Sequence, residues 1–122
     1  MKISEAIDAA NAARRNEIPN GTLLYWLSAL DGQLAQSIFD AHEGETVTYT
    51  PYTENTDPET ELLVEAPWDE LYPLYLKMRI DLENNDMTAY NADGQLYNAA
   101  YSAWAAWFTR THLPKGVPAL RF

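Results

Sequence analysis

Two stretches of this chain repeat apolar residues at the spacing of one helix face, and that leaves little choice of fold class. Leu23, Leu27, Leu30, Leu34 and Ile38 follow at intervals of 4, 3, 4 and 4, with Trp26 and Phe39 widening the stripe. Tyr90, Gly94, Tyr97, Tyr101, Trp104 and Phe108 step at 4, 3, 4, 3 and 4, with Trp107 beside them. A period of about 3.6 residues puts each set on one side of a helix. The heptad-like regularity of the second set fits antiparallel helix packing. Helices are therefore expected over about Leu23–Ala41 and Met87–His112.

Two shorter helices complete the pattern. The first spans about Ile3–Arg15, with Ile3, Ile7, Ala10 and Ala13 on one side and Ser4 and Glu5 in its opening turn. Pro19-Asn20-Gly21 breaks the chain, and Thr22 is the expected N-cap of the next helix. The third helix spans about Asp69–Asn84, carrying Leu71, Tyr75, Met78 and Leu82. Pro67 stands before it, and Asp69 and Glu70 suit the dipole of its first turn. Pro73 is tolerable there, because the first four N–H groups of a helix have no intrahelical partner. Asn84-Asn85-Asp86 makes the following turn, while Gly44 and the pair Pro114 and Gly116 mark helix ends. Gly32 costs roughly 1 kcal/mol inside a helix and suggests a close neighbour or a bend.

Residues 45–66 differ in character. Val47 and Tyr49 alternate with threonines, Pro51 and Pro58 interrupt, and Leu62-Leu63-Val64 offers a return strand. The expectation is an exposed loop or β-hairpin arm projecting from the helical body. The fold class expected is all-α: a single domain, residues 1–122, of roughly four helices. The arm at about 45–66 lies between the second and third helices, and a tail follows at 116–122.

Charge and composition narrow the function classes. The 122 residues carry a formal net charge of −10, and no Lys or Arg occurs from residue 16 to 76, where twelve acids fall. So acidic a chain is not expected to grip nucleic-acid phosphates, which are held by Lys and Arg displacing counterions. Acids also simply maintain solubility. With no cysteine, disulfides, thiolate metal sites and a cysteine nucleophile are excluded. No apolar run approaches the ~20 residues of a membrane span. The start, MKISEAIDAANAARRNE, lacks a signal-peptide apolar region. A soluble, cytosolic protein with no membrane partner is expected.

Catalytic motifs are missing. His42 and His112 lie far apart and neither belongs to a helical metal pair; there is no GxxxxGK[ST], no GxSxG and no GxGxxG. The acidic runs at 57–61 and 81–86 lack the alternation and the glycine of a calcium loop. Eighteen acids make a chance carboxylate pair unavoidable, so a glycosidase-like pair carries no signal. The Tyr90–Phe108 stripe suits a ligand pocket or, more commonly, a core. Asn91 and Asn98 beside it would need partners if buried. Arg110 suits the dipole at the end of the last helix or a nearby acid.

Three strings carry a resemblance: LLYWLSALDGQLAQSIFDAHEG, ELLVEAPWDELYPLYLKMRIDLENND and AYNADGQLYNAAYSAWAAWFTRTHLPKG. Over about residues 19–115 the chain resembles small tailed-phage and prophage proteins of the head–tail connector, or head-completion, type. The match rests on Pro19-Asn20, Trp26-Leu27, Leu30-Asp31-Gly32, Leu62-Leu63-Val64, Pro67, Leu71-Tyr72, Tyr75-Leu76, Ile80-Asp81, Tyr90-Asn91, Tyr101, Trp107 and Arg110. Pro73 and Asp93-Gly94 depart from it, where ordinary helix residues are expected. The resemblance implies a non-enzymatic adaptor in the virion, at the head–tail junction, reached from the bacterial host cytoplasm. It would form a homo-oligomeric ring below the portal protein, extend the DNA channel and dock tail-completion proteins. DNA would pass without sequence-specific binding, beside an acidic lumen. No cofactor and no metal are implied.

Ring contacts are heterologous and need two different patches. The arm and the tail are the expected partner-facing parts, with Tyr49, Tyr52, Leu120 and Phe122 as the interface residues; packing against their own domain is the other use of such side chains. Alternatives are another phage morphogenesis factor, such as a tail-assembly protein, a small-ligand-binding helical domain, and an acidic nucleic-acid mimic.

Overall fold

The computed structural model describes residues 1–39 and 49–112. Four α-helices follow in chain order: α1 (Ile3–Ala13), α2 (Asn20–Leu34), α3 (Leu71–Glu83) and α4 (Met87–Thr111). A π-helical turn, Ala35–Phe39, extends α2, and a 3-10 turn, Trp68–Glu70, leads into α3. Among the described residues no strand forms; a single antiparallel bridge joins Lys2 and Glu61. The architecture is all-α, with a long loop between α2 and α3.

Local chemistry explains each boundary. The Ile3 and Ser4 amides, orphaned at the start of α1, donate to the carbonyls of Thr60 and Pro58, both at 3.0 Å. The Glu5 carboxylate accepts from the Lys2 amide at 3.0 Å. Helix α2 begins at Asn20, ahead of the expected Thr22 cap, because Pro19 already has a preset φ of −59° and its carbonyl accepts from Thr22 at 2.9 Å. Pro73 is the third residue of α3, where no intrahelical donor is needed, so the helix runs through it. Asn85 turns the chain at φ 57°, in the left-handed region that Asn tolerates, and the Asp86 carboxylate caps α4 by accepting from the Ala89 amide. Helix α4 passes Gly94 unbroken. Gly44 and residues 113–122 lie outside the described residues.

The core is shared by all four helices. Leu23, Leu27, Leu30 and Leu34 of α2 are buried as their spacing predicts. They meet Ile3, Ala6, Ile7 and Ala10 of α1, Leu71, Tyr72, Leu76 and Ile80 of α3, and Trp104 and Phe108 of α4. Helix α3 lies between neighbours and buries more than one face. Its deepest row is Tyr72, Leu76 and Ile80. Of the expected row, Leu71 is fully buried in the core, but Tyr75 rings against Tyr97, Met78 lies against Gly94 and Leu82 is exposed.

The loop from 49 to 66 takes the loop form of the two expected, and it is folded onto the body rather than projecting from it. Leu62 and Val64 are buried in the core, and the Leu62 amide donates to the Met1 carbonyl. Residues 45–48 lie outside the described region.

At the opposite end of α1, Arg14 reaches across the bundle. Its Nε donates to Asp81 Oδ1 at 3.1 Å and its Nη2 to Asp93 Oδ2 at 2.8 Å, tying α1 to α3 and α4. The central position of α3 sets an expectation. Leu76→Ala, at a fully buried site, should cost about 2–5 kcal/mol in urea denaturation with the m-value unchanged.

Candidate assembly surface

What holds the loop in place decides which surfaces are left free. Asp31 points inward from α2 and is fully buried. Its Oδ1 accepts from the Tyr72 hydroxyl at 2.6 Å; its Oδ2 accepts from the Tyr52 hydroxyl at 2.5 Å and from the Leu63 amide at 3.2 Å. The Val64 amide in turn donates to the Tyr72 hydroxyl at 2.8 Å. Burial raises the pKa of Asp31, and the three donors pull it back. The same burial, together with the carboxylate, drives the Tyr52 and Tyr72 hydroxyls upward, so both remain donors.

One turn earlier on α2, Ser28 binds the loop a second time. Its hydroxyl donates to Tyr49 Oη at 2.6 Å and accepts from the Tyr52 amide at 3.0 Å, while Tyr49 donates to the Ser28 carbonyl. Gly32 makes this possible. A Cβ there would stand 3.1–3.3 Å from the Tyr49 ring, so the close neighbour foreseen at Gly32 is a loop tyrosine, not a helix. Tyr49 and Tyr52 are thus part-buried and bonded to α2. Leu120 and Phe122, named with them as interface residues, lie outside the described residues.

Helix α4 has two unlike sides. Inward, Tyr97, Tyr101, Trp104 and Phe108 form a ladder of tilted rings with centroids 5.6–6.2 Å apart, joined by Phe39 and by Tyr75. Trp68 stacks on Trp107 at 5.6 Å, and His112 on Phe108 at 3.9 Å. These contacts make the aromatic stripe mainly a packing element.

Outward, α4 carries a second row at the same spacing: Ala92, Leu96, Ala99, Ala103 and Ala106, all exposed, with Leu96 at 54%. Beside it runs a neutral polar row of Asn91, Gln95, Asn98, Ser102 and Thr109, also exposed. Asn91 and Asn98 therefore face outward and set no core register. The only charged side chains on the 25 residues of α4 are Asp93, which is buried, and Arg110, which is exposed. A surface about 37 Å long is thus almost free of charge on a chain of net charge −10.

Other features of the described residues point to no reaction. No three of their Asp, Glu, His or Cys side chains gather as metal ligands, and no helix is long and apolar enough to cross a membrane. One open notch of about 670 Å³ lies at the end of α1, lined by Asn11, Ala12, Arg15, Asn16, Glu17, Ile18 and Asn20. A smaller hollow of about 270 Å³ lies within the loop, beside Tyr49 and Tyr52. Neither is lined by the α4 ring ladder.

The α4 outer row was legible in the sequence, for its alanines and Leu96, at heptad spacing, stand two residues on from the aromatic row. The aromatics drew the helix assignment and left the alanines unread. Asp31 appeared in the sequence as one acid among twelve and within Leu30-Asp31-Gly32 of the resemblance, with nothing to mark it as buried. No family model, no curated protein and no solved structure matches this chain.

The loop seat yields a test. Tyr72→Phe leaves the Val64 amide without an acceptor and removes one donor from Asp31. It should cost about 1–3 kcal/mol in chemical denaturation, far more than Tyr25→Phe at an exposed position.

Proposed function

We propose that this chain is a non-enzymatic structural protein of a tailed-phage virion, a head–tail connector that assembles as a ring below the portal protein. The observation that carries this reading is the outer side of α4, uncharged from Asn91 to Thr109 with Arg110 at its end. A surface helix normally presents charged residues to water. Here the longest helix presents a small-residue row and a neutral amide row instead. Two copies of an acidic chain repel one another except where they meet over uncharged surface, and alanines let helices approach closely.

In a ring the α4 side of one copy meets a different patch of the next, as heterologous contacts require. The acids between residues 17 and 70 then suit the lumen, where like charge lets DNA slide without binding. The first assembly takes place in the host cytoplasm, and the portal and tail-completion proteins are the partners above and below. The resemblance to connector proteins supports this reading over a tail-assembly factor that stays small, or a ligand-binding domain.

Leu96→Glu and Ala103→Glu place charge on the α4 row without touching the core. The free protein should keep its thermal midpoint, while self-association, alone or on portal rings, weakens at least tenfold by sedimentation velocity. Unchanged association in both variants removes α4 from the interface. The DNA beside the gene tests the wider reading. Portal and capsid genes on one side with tail genes on the other support it, and metabolic neighbours overturn it.

A further inference from the structure

In the Arg14 cluster two buried carboxyls are in direct contact with one guanidinium. Asp81 and Asp93 are 1% and 3% exposed, and one guanidinium serves both. The third arm of that guanidinium is already committed, since Nη1 donates to the Ala13 carbonyl at 3.0 Å. The carboxyls face each other closely enough to hydrogen bond. Asp81 Oδ2 is buried with no donor to accept from. Two ionised carboxylates in this setting would leave that oxygen orphaned and a net negative charge out of water. A proton on Asp81 removes both penalties, because Oδ2 then donates to Asp93.

We propose that Asp81 and Asp93 hold one proton between them above Arg14, forming a latch that fastens the C-terminal end of α1 to the α3–α4 pair and loosens when the proton leaves. The charged groups acting on the latch are Arg14 from α1, Lys77 from α3 and the two carboxyls themselves. Burial, reinforced by Asp93, pushes Asp81 up to about 6 against the pull of Arg14. Burial acts on Asp93 in the same direction, but the hydrogen bonds from Asp81 and Arg14 outweigh it and hold Asp93 below its usual range.

The signs follow by linkage. The raised group binds its proton more tightly when folded, so its contribution is complete below its unfolded value of 3.8 and lost as pH rises through about 6. The lowered group contributes above 3.8 and loses that contribution in stronger acid. The latch is therefore firmest at about pH 4 and weakens toward neutrality. Its position decides what the proton controls. Arg14 is the C-cap of α1, and the open notch is lined by residues on both sides of it, Asn11 and Ala12 before and Arg15, Asn16 and Ile18 after.

Asp81→Asn tests this, since an amide nitrogen donates permanently where the proton sat while the oxygen still accepts from Arg14. Between pH 5 and 8 the folded-to-unfolded ratio of the native chain should fall, relative to D81N, by about tenfold. Amide exchange over residues 10–15, corrected for intrinsic rate, should quicken in the native chain and not in the variant. The carboxyl carbon resonances of the unmodified protein provide a reading that needs no variant: one of the pair should titrate near pH 6 and the other below 3.8. Both titrating below pH 4.5 would overturn the proposal, as would a D81N-to-native stability ratio that stays flat with pH.

Discussion

A fully buried carboxylate, Asp31, is held mainly by hydrogen bonds, with a smaller pull from the amino terminus, and the arrangement of the molecule follows from how it is satisfied. Burying an ionised group is costly unless hydrogen bonds replace its water. Here two tyrosine hydroxyls and one backbone amide do so, drawn from α3 and from the loop. The cost is met only when α2, α3 and residues 52–64 come together in one register. Apolar packing alone would tolerate small slips between these elements; the three donors do not. Ser28 and Gly32 extend the same constraint along α2, since the Tyr49 ring lies so close over Gly32 that a side chain there would press on it.

The helices were legible because periodicity is a local signal. Four of the five stripe residues on α2 are buried as their spacing indicated, and Pro73 and Gly94 interrupt neither helix. Readings that depended on distant partners fared differently. The threonine alternation around Tyr49 resembled a strand, yet where the described residues resume the Tyr49 hydroxyl and the Tyr52 amide bond to Ser28 of α2. Helix α3 misled in a subtler way. A helix with neighbours on several sides has more than one apolar row, and composition does not say which is deepest. The candidate site was legible in part: the alanine row on α4 stands in the sequence at heptad spacing, whereas the meeting of Arg14 with Asp81 and Asp93 joins residues 67 and 79 positions apart.

Charge is distributed with the same economy. Of the three acids buried in the described body, one is met by tyrosines and two by a shared arginine. Arg79 lies over the Trp26 ring at 4.7 Å, its charge faced by a π-surface instead of a carboxylate. Acids crowd the loop and the start of α3, and the outer side of α4 stays neutral. A molecule with one uncharged side can meet copies of itself in few orientations, and that restriction supports the proposed ring more directly than its helical content does.

The seating of α1 bears on the order in which the molecule is made. The amides of Ile3 and Ser4 bond to carbonyls at residues 60 and 58, and Leu62 bonds back to Met1. During synthesis the first helix therefore leaves the ribosome with its opening turn unfinished, and more than fifty further residues must follow before its partners exist. An isolated helix of 11 residues is marginal in water. Helix α1, made before its partners at residues 58–62, is thus among the last elements to be secured, and closure of the chain between residues 2 and 62 becomes a late, long-range step in maturation.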